Sequence, residues 1–95
     1  MQFMITAYDG TDVEALNRRL LVREAHLANV TPLQKSGQFI AGGAILDDDG
    51  KMIGSTLYMD FESREKLDEW LSNDPYVVND VWRDIKVDPI KLALR

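Results

Sequence analysis

Apolar and polar positions alternate at the start of the chain. Phe3, Ile5 and Ala7 fall on one side and Met4, Thr6 and Tyr8 on the other, which predicts a strand over residues 2–8. Asp9-Gly10 ends it as a turn. The period then changes. Leu16, Leu20, Leu27 and Val30 fall within one arc of ~80° on a helical wheel. Thr11 or Asp12 is the expected N-cap of this helix, and Ser36-Gly37 its C-terminal signal. Pro32 cannot donate to the helical ladder, so a kink or break is expected somewhere in residues 22–32.

The second half carries the same signals in a different order. Residues 38–46 read as a strand, with Gly42-Gly43 marking a bulge or a close backbone approach. Asp47-Asp48-Asp49-Gly50 reads as a hairpin loop. Met52 to Phe61 alternates again and forms the third strand. Ser63 is the expected N-cap of a helix carrying Leu67, Trp70 and Leu71, and Asn73 ends it. Asp74-Pro75 reads as a second N-cap followed by proline at the first helical position. Val81 to Val87 is the fourth strand, with Val81, Ile85 and Val87 on one face and a short tail after Pro89.

The order β-α-β-β-α-β is the split βαβ arrangement: a ferredoxin-like α+β fold whose four-stranded antiparallel sheet has both helices on one face. The other face is then bare. It is expected to present Met4, Tyr8, Ile40, Met52, Tyr58 and Trp82, too much apolar surface for a small monomer to leave in water. Packing against the same face of a second copy would cover it, so a homodimer is expected. A C-terminal tail folded back over the sheet is the alternative, but residues 88–95 are too few to cover it all.

Length and composition narrow the function classes. At 95 residues the chain holds one domain, 1–95. Its 16 acidic and 11 basic side chains give a net charge of −5, with no basic stripe of the kind a nucleic acid requires. No apolar run approaches the ~20 residues of a membrane helix. The amino terminus lacks the basic and long apolar regions of a signal peptide. There are no cysteines, which excludes disulfides, thiolate metal sites and a cysteine nucleophile. A cytoplasmic location is the expectation.

Few residues can carry chemistry. His26 is the only histidine, and Arg19, Arg23 and His26 share an arc of ~60° flanking the apolar stripe. Imidazole suits proton transfer near neutral pH, and an arginine one turn away can hold a carboxylate or phenolate. The same residues also read as a hydrogen-bonded scaffold histidine between solvated arginines. Asp74 is equally double: an N-cap, or a carboxylate that fixes the imidazole tautomer. Both elements lie on the helical face of the sheet, so the topology allows the two to meet. Asp47–Gly50 does not fit a calcium loop, because an EF-hand aligned on Gly50 would begin at Ile45, which cannot ligate. No metal-ligand spacing is present. Gly42-Gly43 and Gly54-Ser55 stand outside any phosphate-binding or nucleophile-elbow pattern.

Taken in order, a further set of residues resembles the YCII-related (YciI-like) family. These are Arg18-Arg19, Arg23-Glu24-Ala25-His26-Leu27, Gly37, Gly42-Gly43, Gly54-Ser55, Trp70, Asp74-Pro75-Tyr76, Val81 and Val87-Asp88-Pro89. The resemblance spans essentially the whole chain. It implies a ferredoxin-like domain that dimerises as an α+β barrel. It also implies a histidine/aspartate centre, which falls on His26 and Asp74. One branch resembles an enzyme that removes chloride from a chlorinated hydroxyhydroquinone. Two departures stand out: Glu24 and Ala44 occupy positions where many members have proline. On this basis the expected function is a cofactor-free lyase or isomerase. His26 and Asp74 would be its catalytic pair, with Arg19, Arg23, Ser55 and Tyr76 binding a small anionic or phenolic substrate. The competing reading is a non-catalytic dimeric domain that binds a small molecule or a partner.

Overall fold

The computed structural model describes residues 1–95. The elements are β1 (Gln2–Asp9), α1 (Ala15–Ser36), β2 (Phe39–Leu46), β3 (Met52–Asp60), α2 (Arg64–Ser72), α3 (Pro75–Val78) and β4 (Trp82–Ile90). The strands form one antiparallel sheet in the order β2-β3-β1-β4, with the helices on one face, which is the ferredoxin-like arrangement.

The core lies between that face and the helices. Phe3, Ile5 and Ala7 of β1 and Leu57 and Met59 of β3 point inward and meet Phe61, Leu67, Leu71, Tyr76, Val81 and Trp82. Each fully buried large side chain here contributes about 1.5–3 kcal/mol. Local chemistry sets the helix ends. Ser63 Oγ accepts from Lys66 N at 3.1 Å and starts α2. Gly37, at φ 86°, ends α1 in the left-handed conformation that glycine adopts at little cost. The β2–β3 hairpin turns at Gly50, φ 83°. Gly42 answers a close approach, since a Cβ there would sit 2.6 Å from the Thr56 carbonyl oxygen. The bulge of β2 lies at Ile40 rather than at the glycine pair, and β3 has its own at Ile53, opposite Ile45–Leu46.

Four expectations are corrected. Neither Thr11 nor Asp12 caps α1 with its side chain. Asp12 pairs instead with Arg18 at 2.8 and 3.1 Å, and the helix begins after Glu14 without a side-chain cap. Pro32 does not break α1, which runs unbroken for 22 residues. Ala28, whose carbonyl loses its donor, and Pro32 are both exposed, so water can serve the orphaned oxygen.

The buried face of α1 is also rotated from the leucine stripe. It carries Ala15, Arg19, His26 and Val30, whereas Leu20 and Leu27 are 50% and 44% exposed. Arginine and histidine can face inward because Asp9 and Ser55 accept from the Arg19 Nη atoms and Asp74 from His26 Nδ1, although Arg19 Nε stays buried without a partner.

Finally, Trp82 faces the core and not the open side. Asp9 pairs with Trp82 while Tyr8 pairs with Asp84, so Arg83 is an extra residue that reverses the alternation at the start of β4. The strand also extends through Pro89 to Ile90, which is permitted because β4 is an edge.

Met52 leaves the open face for the same reason. Ile45 pairs with Gly54 while Leu46 pairs with Met52, so Ile53 is an extra residue, and Met52 lines a cleft with Asp9 and Leu16 on the helical side. The open face then presents Met4, Tyr8 and Tyr58 among threonines. The C-terminal residues reach only one end of it, where Leu92 N donates to Gln2 Oε1 at 2.8 Å and Arg95 lies 3.8 Å from Asp60. No helix is long and apolar enough to cross a membrane.

Candidate active site

Asp74 occupies the turn between α2 and α3. Its extended backbone and short side chain let Oδ2 accept from Tyr76 N at 3.0 Å, the N-cap bond expected of Asp-Pro. The carboxylate is completely buried and has further partners. His26 Nδ1 lies 2.8 Å from Oδ2 and 3.1 Å from Oδ1, and Asn29 Nδ2 donates to Oδ1 at 2.8 Å. A carboxylate only accepts, so in the neutral imidazole the proton sits on Nδ1 and Nε2 keeps its lone pair. Nε2 has no protein partner, and His26 lines a cavity.

The imidazole is fixed on its faces as well as at its edge. Tyr76 stacks on it at 4.0 Å and 13°, and Trp82 meets it edge-on at 5.4 Å and 72°. Such contacts hold the ring plane in place without using its nitrogens.

The cavity has a volume of about 110 Å³ and opens between α1, β2, β3 and α3. Engineered cavities of about 150 Å³ take up benzene, so a single substituted ring partly open to solvent is the fitting scale. Val30, Phe39 and Leu57 form apolar wall, and Gly42 to Ala44 of β2 close one side. The polar lining is Arg19, Arg23, His26, Ser55 and Tyr76.

The two arginines differ in kind. Arg19 is 3% exposed, and its Nη1 donates to both oxygens of Asp9 at 3.0 and 3.1 Å. Its Nη2 donates to Ser55 Oγ at 2.7 Å, and its guanidinium sits 4.9 Å over the Tyr76 ring. The expectation that Arg19 is free to hold a substrate is thereby corrected, because its charge is already matched inside the protein. Arg23 is exposed, makes no ion pair and reaches the cavity rim.

Burial pushes the Asp9 carboxyl above its ordinary value of 3.8, and Arg19 pulls it partway back. Burial likewise raises the Tyr76 phenol, with Arg19 and Arg23 opposing, so it remains a protonated donor at neutral pH.

Sequence reasoning therefore named His26, Asp74, Arg19, Arg23, Ser55 and Tyr76, and the fold gathers them all at this cavity or directly behind it. It missed Asp9, Asn29 and the inward Trp82. Asp9 continues the inward series Phe3, Ile5, Ala7, and a carboxylate at the end of a buried face calls for a cation. Asn29 lies three residues after His26, on the same side of the helix.

The chain also matches known proteins over nearly its whole length. It is 36% identical to the protein YciI of Escherichia coli, covering 96% of this chain and 97% of that one. An uncharacterized protein of Haemophilus influenzae is 34% identical with the same coverage. Among solved structures, 5-chloro-2-hydroxyhydroquinone dehydrochlorinase (TftG) from Burkholderia phenoliruptrix, in complex with 2,5-dihydroxybenzoquinone, superimposes with a TM-score of 0.85 at 30% identity. That match covers 96% of this chain and 94% of the other. The model of the YCII-related domain matches residues 1–91, and the chain belongs to that family.

Proposed function

We propose that this protein is a small enzyme of the lyase type that moves a proton on an anionic or phenolic ring, with His26 as the base and Asp74 acting through it. The observation that carries this reading is the 2.8 Å contact of His26 Nδ1 with a fully buried carboxylate, which leaves Nε2 unpartnered at a ring-sized cavity. Arg23 at the rim supplies a charge for the substrate's anion. The likeness to a dehydrochlorinase supports the same reaction class.

The proposed step starts from the keto tautomer, in which a hydroxyl proton has moved to the chlorine-bearing ring carbon and made it tetrahedral. Nε2 takes a remaining hydroxyl proton, the released electron pair forms a carbonyl π bond, the ring π electrons shift toward that carbon, and chloride departs with its bonding pair. The step is redox-neutral and draws on no cofactor. Imidazolium forms beside Asp74, whose charge stabilises it, as in other histidine–carboxylate pairs.

The test is chloride release from 5-chloro-2-hydroxyhydroquinone and related halogenated hydroquinones, followed by ion chromatography. Wild-type protein should release chloride, and His26→Gln should do so at least ~100-fold more slowly. Equal rates in the two proteins would contradict the mechanism. Tight binding of the ring with no release by either would favour a binding domain.

The reading includes a homodimer that covers the open sheet face, supported by Met4, Tyr8 and Tyr58, where Tyr8 is 42% exposed. Light scattering at micromolar concentration should give the mass of two chains, and Tyr58→Glu should halve it. A single-chain mass for the unaltered protein would overturn the dimer.

A further inference from the structure

Ser55 projects from β3 toward the helices and lines the cavity, yet it is only 4% exposed. Its hydroxyl oxygen has two lone pairs and one proton to place. Arg19 Nη2 donates to it at 2.7 Å and Trp82 Nε1 at 3.2 Å. Neither nitrogen can accept a proton in return: guanidinium and indole N–H are donors only. Both lone pairs are thus occupied from the protein side, and the Ser55 proton has no acceptor among the protein's own groups. Ser55 lines the cavity, so a molecule bound there can supply the missing acceptor.

We propose that Ser55 is a one-way hydrogen-bond donor to the bound molecule, and that it selects ligands presenting an acceptor oxygen at that wall: a phenolate, an enolate or a quinone carbonyl. An ordinary serine in a pocket can turn its hydroxyl to donate or accept, and so discriminates little. Here Arg19 and Trp82 remove that freedom. A ligand that offers an N–H or O–H at this point meets a second donor and leaves both unpaired in a buried place, which is costly. An oxygen carrying negative charge gains most, because hydrogen bonds to ionised acceptors are the stronger class.

The assignment explains why a buried cation, an indole N–H and a serine converge on one oxygen. It also complements His26. The substrate's acidic proton belongs at Nε2, and the oxygen that takes up its charge belongs at Ser55. Arg19 and Trp82 are positioning residues in this scheme, acting through the serine. The inference rests on the cavity being the substrate site.

The experiment is a titration of the full-length protein with 2,5-dihydroxybenzoquinone, followed by the ligand's visible absorbance. Its hydroxyls are vinylogous acids, so the ligand is anionic near neutral pH and carries only acceptor oxygens. The wild type should bind it. Ser55→Ala should bind about tenfold more weakly or worse. Trp82→Phe keeps an aromatic ring but frees one lone pair of Ser55, and should weaken binding about threefold. The double variant should bind no more weakly than Ser55→Ala alone, because Trp82 acts through the hydroxyl. Effects that multiply would assign Trp82 a merely structural role and overturn the proposal. Unchanged affinity in a folded Ser55→Ala protein would overturn it while leaving the cavity as the site. Should Ser55→Ala not fold, unchanged affinity in Trp82→Phe would overturn it equally. A folded wild type that does not bind the quinone would remove both this inference and the site reading beneath it.

Discussion

Asp74→Asn is expected to lower turnover by ~10²–10⁴-fold while costing roughly 1–2 kcal/mol of stability. The two effects separate because the residue has two jobs. As N-cap of α3 it accepts from Tyr76 N, and asparagine caps nearly as well as aspartate. As the partner of His26 it must accept from Nδ1 and also from Asn29 Nδ2. An amide has one accepting oxygen where the carboxylate has two. With its nitrogen toward His26, it donates to Nδ1 and drives the proton to Nε2, which can then no longer act as a base. With its oxygen there, the charge that stabilises imidazolium is missing. Turnover and thermal midpoint measured on the same preparation check this. A well-folded variant with wild-type turnover would reduce Asp74 to a cap.

Arg19→Met should be the most destabilising single change at the site, by about 3–5 kcal/mol at neutral pH. It leaves Asp9, 7% exposed, as an uncompensated charge between the sheet and α1. It also deprives Ser55 of a donor and Tyr76 of the cation over its ring. The pH dependence has a definite sign. Burial already raises the Asp9 carboxyl above 3.8, and loss of Arg19 removes the main influence opposing that rise. The folded variant then holds a proton that the unfolded chain has released, so its stability falls as pH rises through the raised Asp9 value. The deficit should be full at neutral pH and shrink on acidification. Adding Asp9→Leu should recover most of the loss, because an apolar pair can replace a buried ion pair at little cost. Urea unfolding at several pH values measures all of this. A variant as stable as the parent at neutral pH would show that the pair is not sealed from water.

The parts of this fold that follow simple periods were legible in the sequence. Phe3, Ile5 and Ala7 face the core as their alternation requires, and Ser63 and Asp74 cap the helices they precede. What periodicity could not reach was the place where the protein turns polar groups inward. On α1 the leucines suggested one face, but Arg19 and His26 define the buried one. Their burial becomes favourable only once Asp9, Ser55 and Asp74 arrive from distant points in the chain. Trp82 was misplaced for a related reason. The extra residue Arg83 changes the parity of β4, and a bulge leaves no mark in a strand's own alternation. Both misses fall around one cavity, where local rules give way to chemistry.

The central claim is that His26 presents a bare Nε2 to the cavity because Asp74 holds the proton on Nδ1. Since His26 is the only histidine, ¹⁵N-labelled protein has a single imidazole to observe. The ¹⁵N spectrum of the neutral ring should show a protonated Nδ1 and an unprotonated Nε2. Saturation with 2,5-dihydroxybenzoquinone should move the Nε2 resonance and leave the Nδ1 proton in place. A proton on Nε2 in the free protein, or an Nε2 signal indifferent to bound ligand, would contradict the account.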